Sequence, residues 1–399
     1  MSADLAIETR KPAELGGEER ALWAAFRAAD PVLHSPHFDF RYMLAAGEAA
    51  PGAEVAVISR HGEIQAFLPF QRRGRLIQPI AAPLTDYHGL VAAPGAAIDL
   101  THVVAALGAR RFRFSGLVAG TMSKARVSVR PAMVADLSGG LDPYLARRSG
   151  DFLKDKRRRA RRLEEQHGPL EFALRPHDEG VLEFVIALKR DQMRRTGQHD
   201  IFASSWTSRF LHEIDRRSEP DFGLRFASLR AGGRLVAAEV GLLSGSAYHL
   251  WLPVYDPVFA RYSPGALMTL ETLRAAAGQG IALVDFGPAA EAYKRDFAEP
   301  RGQVFEGDVT SGGVIATTRH ALDVAFAGAP NVRGVLSAAG RRLDRRWDRI
   351  TACEPRLEGR VGAASQNLTD IARQRPKTAI GVGLGVGGLT AGILAMIAD

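Results

Sequence analysis

Two similar β-hairpin patterns recur in this chain, separated by the length of one domain. Each pattern is a pair of apolar strands joined by a turn that contains glycine, Gly62 in the first and Gly233 in the second. Glycine supplies the positive φ that a tight hairpin needs. Superimposing the two glycines gives an offset of 171 residues, 233 minus 62, which is the size of one α/β domain. The strand patterns span 54–59 and 64–71 in the first copy, and 224–230 and 235–244 in the second.

This self-similarity favours two copies of one domain over one large fold. The fold class that we predict is α/β (α+β), with mixed sheets. The expected segments are a first, non-catalytic domain at 1–140, a basic connecting helix at 141–168, a second, catalytic domain at 169–312, a helical and partly basic amphipathic segment at 313–376, and a membrane tail at 377–399.

Composition excludes several classes of protein. Of the 399 residues, 46% are apolar and 24% are charged, which is typical of a globular protein and not of a disordered or fibrous one. The net charge of +8 and the pI near 9.9 favour an anionic partner, such as a phosphorylated ligand, nucleic acid or an anionic membrane. The single cysteine, Cys353, excludes an intrachain disulfide, and we expect no bound metal.

The last part of the sequence is apolar. Residues 378–398 carry no charge and would form a helix about 31 Å long, enough to cross a bilayer. Basic residues precede it, as expected for a cytoplasmic flank, and its GxxxG spacings favour self-association. We therefore predict a tail anchor at the cytoplasmic face of the bacterial inner membrane. The alternative is a glycine-rich buried or disordered tail in a soluble cytoplasmic protein.

Two basic segments have more than one interpretation. Residues 147–162 carry nine basic and two acidic side chains on a helical pattern. This helix could be a solvated face, attract anionic lipid, or hold an anionic acceptor or tRNA. Few aromatic residues are interleaved, so other nucleic acid is not expected. The amphipathic pattern at 332–350 could lie on an anionic membrane or pack on the second domain.

The stretch after the second hairpin is the most informative for chemistry. A strand pattern at 247–256 leads through a loop containing Arg261 to a helix that starts at Pro264, and a short apolar strand follows at 281–287. The open N–H groups and positive dipole end of a helix start favour a pyrophosphate, and Arg261 would add a cation.

These motifs carry a family resemblance. Y-D-P-x-F-A-R-Y-S-P-G at 255–265, D-F-G at 285–287 and A-Y-K-R-D-F at 292–297 resemble the CelD/BcsL family of GNAT-fold acetyltransferase-like proteins, which is tied to cellulose and other exopolysaccharide synthesis. The segments SPHFDF at 35–40 and LTDYHGL at 84–90 agree with it. The FemABX aminoacyl transferases are more distant relatives with the same tandem architecture. The tail is similar to the anchors of ElaB/YqjD-type inner-membrane proteins.

The resemblance implies a fold and an activity. It covers residues 30–307 and implies two tandem GNAT-like domains, followed by helices and a C-terminal membrane-tail helix. It implies direct transfer of an acetyl group from acetyl-CoA to an amine or hydroxyl, without a covalent enzyme intermediate. The acceptor would be a sugar nucleotide or lipid-linked saccharide in exopolysaccharide or cell-envelope synthesis. A FemABX-like transfer from aminoacyl-tRNA and an inactive scaffold for a polysaccharide synthase are the alternatives.

The resemblance also places the donor. In GNAT proteins the helix start binds the pantetheine and pyrophosphate of acyl-CoA. By position this implies a donor site at Arg261, Ser263, Gly265 and Ala266. The usual signature has a glycine where this chain has Pro264, so one N–H that would face a phosphate is absent.

Two strand residues are candidates for the catalytic base. Glu239 is the only carboxylate between Arg234 and Asp256, and His249 lies on the following strand. A structural ion pair and a core histidine are the alternatives. The two side chains share a face if three residues join the strands, whereas a two-residue loop moves His249 to the opposite face.

Further candidates surround this pair. Lys294 matches the Tyr-Lys of the family and could bind an oxyanion or a sugar-nucleotide phosphate, although a surface lysine is the alternative. Asp285 ends a buried strand, where α/β sites gather, and is a further catalytic candidate. The residues expected to bind the acceptor are Asp86, Tyr87, His88, Arg194, Arg195, His199 and Tyr293.

Overall fold

The computed structural model describes residues 5–118, 122, 125–311 and 345–374. The predicted membrane tail at 377–399, the GxxxG spacings in it and residues 313–344 of the predicted helical segment lie outside these residues. Within the described part of the chain, no helix combines the length and the apolar character needed to cross a membrane.

Helices and strands alternate through the first half of the chain, the predicted first domain at 1–140, and through the second half, which follows it up to residue 312. The strands are β1 (Leu5–Arg10), β2 (Ala53–Arg60), β3 (Glu63–Arg73), β4 (Leu76–Pro79), β5 (Val91–Ala92), β6 (Arg111–Leu117), β7 (Ala125–Asp136), β8 (Leu170–Arg175), β9 (Phe222–Ala231), β10 (Arg234–Ser244), β11 (Ala247–Tyr255), β12 (Leu283–Pro288) and β13 (Glu299–Thr310). The helices are α1 (Gly17–Ala29), α2 (Phe40–Ala49), α3 (Leu100–Ala106), α4 (Leu141–Ala146), α5 (Gly150–His167), α6 (Glu179–Arg195), α7 (Ser205–Asp215), α8 (Pro264–Gly278), α9 (345–353) and α10 (Leu357–Gln374).

The described strands form one continuous sheet of 13 strands. Twelve of them follow the order β1-β2-β3-β4-β6-β13-β7-β12-β11-β10-β9-β8, and β5 pairs with β3. Strands β4–β6 and β11–β12 pair in parallel, so the predicted mixed α/β character is confirmed. The sequence predicts mixed sheets in two domains. The structure instead joins them, because β13 lies between β6 and β7 and β7 pairs with β12. The domain boundaries predicted above stay a prediction.

The two hairpins share their turns and their irregularities. Each has a two-residue turn, with φ values of 52° and 83° at His61-Gly62 and 55° and 79° at Gly232-Gly233. Both positive φ values match the turn that fits the twist of a hairpin. The second strand of each hairpin has one bulged residue, Gln65 in β3 and Val236 in β10. These two bulges are again 171 residues apart, 236 minus 65, so the structure carries the same offset as the sequence.

One apolar core connects the two halves. Tyr42 of α2 packs its ring 5.0 Å from Phe210 of α7 and 6.3 Å from Trp251 of β11. All three side chains are nearly inaccessible to solvent. Burying aromatic surface of this size stabilises each half through the other. The basic helix α5 ends before Gly168, as predicted, and buries Leu163 against the second half.

Candidate active site

A carboxylate of the first half contacts a histidine of the second half. Asp86 lies in the loop between β4 and β5, and His249 lies on β11. Nε2 of His249 is 2.9 Å from Oδ2 of Asp86. The His249 side chain is fully buried, whereas 39% of the Asp86 side chain remains exposed in a cavity between the halves. Asp86 is therefore the member of the pair that a substrate can contact.

The other ring nitrogen of His249 faces a second carboxylate. Nδ1 lies 3.7 Å from Oδ1 of Asp285, an ion-pair distance that is too long for a hydrogen bond. The same oxygen accepts the hydroxyl of Tyr87 at 2.8 Å and the backbone N–H of Gly287 at 2.6 Å. Asp285 is thus fixed by both halves of the chain and holds the imidazole between two carboxylates.

The two carboxylates keep the histidine charged. Burial alone would lower the pKa of His249, but Asp285 and Asp86 outweigh burial and raise this pKa to about 9. Burial alone would raise the pKa of Asp86, but the hydrogen bond and charge of His249 outweigh it and lower this pKa to about 2. At neutral pH the pair consists of an imidazolium that donates to a carboxylate.

Gly287 lies beside these groups. Its φ is +80°, and a Cβ at this position would lie 3.5 Å from Oδ2 of Asp86 and 3.5 Å from Cε1 of His249. Nζ of Lys294 would lie 3.8 Å from the same Cβ. Lys294 is only 6% exposed, and its amine forms an ion pair with Glu291 at 2.8 Å. The structure therefore brings three of the predicted residues, Asp86, His249 and Lys294, around one glycine.

Glu239 is buried apart from this cluster. The loop between β10 and β11 has two residues, since Ser244 pairs with Ala247, and this is the register that separates Glu239 from His249. Tyr248 donates a hydrogen bond to Oε1 of Glu239 at 2.8 Å, while Oε2 has no partner among the described residues. Burial raises the pKa of Glu239 to about 8. Glu239 is therefore mostly neutral at pH 7.

A cavity of about 450 Å³ opens above the Asp86–His249 pair. Leu250 and Trp251 of β11 line one side, and Phe286 and Gly287 of β12 line the other. These two strands pair over only three positions, Ala247 to His249 against Leu283 to Asp285, and separate beyond them. The charged residues that line the cavity are Asp86, Arg113, Arg130, Lys189, Glu291, Lys294, Glu306, Arg345, Asp348 and Arg349.

Helix α9 forms one wall of this cavity. The buried side chain of Arg73 donates to the carbonyls of Thr351 at 3.1 Å and Ala352 at 2.7 Å. Trp206 of the second half donates to the carbonyl of Cys353 at 3.0 Å. These bonds satisfy carbonyls that a helix end leaves unpaired. The end of the predicted amphipathic segment thus packs against both halves.

The predicted donor residues lie at the start of α8. Ser263 has a φ of +55°, and no side chain among the described residues caps the helix. The N–H groups of Gly265 and Ala266 are in the first turn, where a helix favours an anion. Arg261 stacks on the ring of Tyr262 at 4.7 Å and donates to Gln166 of α5 at 2.8 Å. A phosphate at this helix start fits these groups.

The remaining predicted residues differ in where they lie relative to the cavity. Tyr293 is 52% exposed and lines the cavity, and Tyr87 supports Asp285 as described above. His88 is buried, and its Nε2 accepts the backbone N–H of Gly116 at 3.2 Å, a contact within the fold. Neither Tyr87 nor His88 lines the cavity, and the other expected acceptor residues outside its lining are Arg194, Arg195 and His199.

Sequence reasoning missed Lys189, which lines the cavity from α6. The buried positions Leu182 and Ile186 of this helix are seven and three residues before Lys189, so all three share a face. This periodicity was a usable signal. It also explains why Arg194 and Arg195, on other faces of α6, do not reach the cavity.

One cluster at the site has the composition of a metal centre. His37, Asp86 and His249 have ligand atoms within 4.8 Å of one another. However, Nε2 of His249 already donates to Oδ2 of Asp86, and the two neighbouring carboxylates favour the protonated ring, whereas a metal ligand must be the neutral imidazole. We therefore assign this cluster to proton chemistry.

Comparison with known proteins agrees with this architecture. Residues 150–295 match the family described as "Acetyltransferase (GNAT) domain". No curated protein matches the chain. Among solved structures, a tandem GNAT protein from the clavulanic acid biosynthesis pathway has a TM-score of 0.50 at 13% identity, covering 78% of this chain and 100% of that one.

Two further solved structures are similar over most of their length. FemX has a TM-score of 0.42 at 12% identity, covering 76% of this chain and 97% of that one. A GCN5-related N-acetyltransferase from Sphaerobacter thermophilus has a TM-score of 0.40 at 12% identity, covering 78% and 97%.

The match and the fold define the class of this protein. The segment from 150 to 295 matches a GNAT acetyltransferase domain, and the chain as a whole has a tandem GNAT-like fold. The protein is an acyltransferase of the GNAT type.

Proposed function

We propose that this protein transfers an acetyl group from acetyl-CoA to an amine or hydroxyl of a sugar precursor. The observation that carries the proposal is the Asp86–His249 pair, placed where β11 and β12 separate and open to the cavity through Asp86. A proton-transfer group beside the opening of two parallel strands suits a thioester donor on one side and a nucleophile on the other. Transfer is direct, with no covalent enzyme intermediate.

The pair moves one proton between the two substrates. With His249 neutral, Asp86 takes the proton of the attacking amine or hydroxyl and passes it to Nε2 of His249. The acceptor forms its bond to the acyl carbon as the carbon–sulfur bond breaks. His249 then returns the proton through Asp86 to the leaving thiolate, so protons balance. A pKa of about 9 is close to that of a thiol, about 8.5, which makes the return step nearly neutral in energy.

Lys294 stabilises negative charge during this step. Its amine lies beside the pair and is nearly buried, so its charge acts through a medium of low dielectric constant. Acetyl-CoA supplies the activated acyl group. The start of α8 would hold its phosphates through the N–H groups of Gly265 and Ala266 together with Arg261.

The acceptor and the location rest on resemblance alone. The CelD/BcsL motifs support a sugar nucleotide or lipid-linked saccharide in exopolysaccharide or cell-envelope synthesis. The apolar tail and the basic residues before it support attachment to the cytoplasmic face of an anionic inner membrane, with self-association through the tail. Liposome flotation of the full chain and of a chain ending at residue 376 tests the attachment. Equal flotation of the two would exclude the tail as an anchor.

Calorimetric titration of the full chain with acetyl-CoA tests the donor. We expect Arg261→Ala to weaken binding about tenfold, since a hydrogen bond to a charged group contributes roughly 1.5–3 kcal/mol. Arg274→Ala is the control, because Arg274 lies on α8 away from its start and pairs with Glu271 on the surface. Absence of acetyl-CoA binding to the folded wild type, with binding of aminoacyl-tRNA, would replace the proposal by an aminoacyl transfer.

A further inference from the structure

The charges in the cavity are not balanced. Among the described residues that line it, six side chains are basic and four are acidic. Asp348 accepts Nε of Arg113 at 2.7 Å, and Glu291 pairs with Lys294 at 2.8 Å. A third carboxylate, Asp86, is bonded to His249. These three acids are therefore already engaged.

The fourth acid is shared between two cations. Glu306 lies 3.3 Å from Arg130 and 3.3 Å from Arg345. This leaves Lys189 of α6 and Arg349 of α9, which bond to amide oxygens of Gln192 and Gln198 and not to a carboxylate of the described residues.

Holding these two cations in a cavity is unfavourable without a counter-charge. Burial lowers the pKa of Lys189 to about 8, and the charge of Arg349 adds to this effect. The nearest opposing charges that raise it are Asp86, bonded to His249, and Glu239, which is mostly neutral at pH 7. An anion held in the cavity beside these two side chains would remove the imbalance.

We propose that the acceptor is a phosphorylated compound whose phosphate binds between Lys189 and Arg349. This inference rests on the proposed function and extends it to the class of acceptor. The phosphates of acyl-CoA are assigned to the start of α8, and Pro264, Gly265 and Ala266 do not line the cavity. The cations of the cavity therefore serve the second substrate. Lys has three donors and Arg a planar fork, and both suit phosphate oxygens.

The test is calorimetric titration of the CoA-saturated full chain with inorganic pyrophosphate. Saturation with CoA blocks the helix start, so that remaining binding reports the cavity. We expect Lys189→Gln and Arg349→Gln each to weaken this binding at least tenfold, and Arg194→Gln, on the same helix as Lys189 but outside the cavity lining, to leave it within twofold. Retained CoA binding by each variant shows that it is folded.

The outcomes separate this inference from the proposed function. If the wild type does not bind CoA, the proposed function is overturned. Normal CoA binding with no pyrophosphate binding, or with equal binding by wild type and both variants, overturns the phosphate site alone. Titrations with UDP-glucose and with undecaprenyl phosphate in detergent micelles then distinguish a nucleotide-linked from a lipid-linked source. The ligand that binds the wild type more tightly should also be the one whose binding Lys189→Gln weakens more.

Discussion

The hydroxyl of Tyr87 donates to Oδ1 of Asp285 at 2.8 Å, a bond between residues 198 positions apart in the chain. One residue belongs to the first half and the other to the second. Together with the Asp86–His249 bond, it makes the site a product of both halves, joined by the shared core at Tyr42. The first half therefore contributes side chains to the candidate site and does not only support the second half.

Removing the charge of Asp285 should lower the pKa of His249. The imidazolium of His249 is stabilised against burial by Asp285 and Asp86, so Asp285→Asn leaves one carboxylate of the two. We expect the pKa of His249 to fall by more than one unit from about 9, measured by NMR titration of its ring with His249→Gln used for assignment. Asp142→Asn, at an exposed position, is the control. An unchanged titration in Asp285→Asn would refute the assigned ion pair.

Replacing Gly287 should damage activity beyond its effect on stability. Gly287→Ala places a methyl group 3.5 Å from both Asp86 and His249, in a backbone of φ +80°. Gly62→Ala has nearly the same φ, +83°, but its Cβ would contact nothing within 4 Å. We expect both variants to lose about 1–2 kcal/mol of stability, and only Gly287→Ala to lose more than tenfold in kcat. Equal activity of the two variants would mean that the reaction does not need the space between Gly287 and the Asp86–His249 pair.

The buried Glu239 should make stability depend on pH. Its folded pKa of about 8 lies above the ordinary value of 4.5, so its contribution is fully present below pH 4.5 and is lost as the pH rises through 8. Glu239→Gln removes this dependence. The quantity to compare is the free energy of unfolding of Glu239→Gln minus that of the wild type. We expect this difference to be larger at pH 9 than at pH 4 by on the order of 4 kcal/mol. Denaturant unfolding measures the difference.

Glu63→Gln serves as the control for that series, since Glu63 is exposed in the first hairpin. Its stability should follow the wild type at every pH. A Glu239→Gln variant that also follows the wild type would show that Glu239 is ionised in the folded protein and available as a base.

Local features of this fold were predictable from sequence, and contacts between halves were not. The glycines predict both hairpins, because a two-residue hairpin turn has positive φ values that glycine adopts readily. Pro264 marked the start of α8 correctly. By contrast, nothing local indicates that β13 inserts between β6 and β7, or that the loop carrying Asp86 reaches His249. These contacts depend on how two separately patterned halves pack.

In the candidate site, too, residue identities were predictable from sequence, whereas register and burial were not. Asp86, His249 and Lys294 were named from their residue types and the resemblance, and the structure brings them together. The sequence does not determine the length of the loop that separates Glu239 from His249, and a change of one residue in that loop changes the register. Lys189 was missed in favour of Arg194, because choosing among basic residues of one helix requires knowing which face is buried.

The most direct test of this account is the pH dependence of kcat/KM for acetyl-CoA-dependent thiol release with a phosphorylated amino sugar, glucosamine 1-phosphate, as acceptor, in wild type and Asp86→Asn. The pair acts as a base only when His249 is neutral, so the wild-type rate should rise about tenfold per pH unit and level off near pH 9. Asp86→Asn should be at least a hundredfold slower and lack this limb. Superimposable profiles for the two proteins would contradict proton transfer through Asp86 and His249.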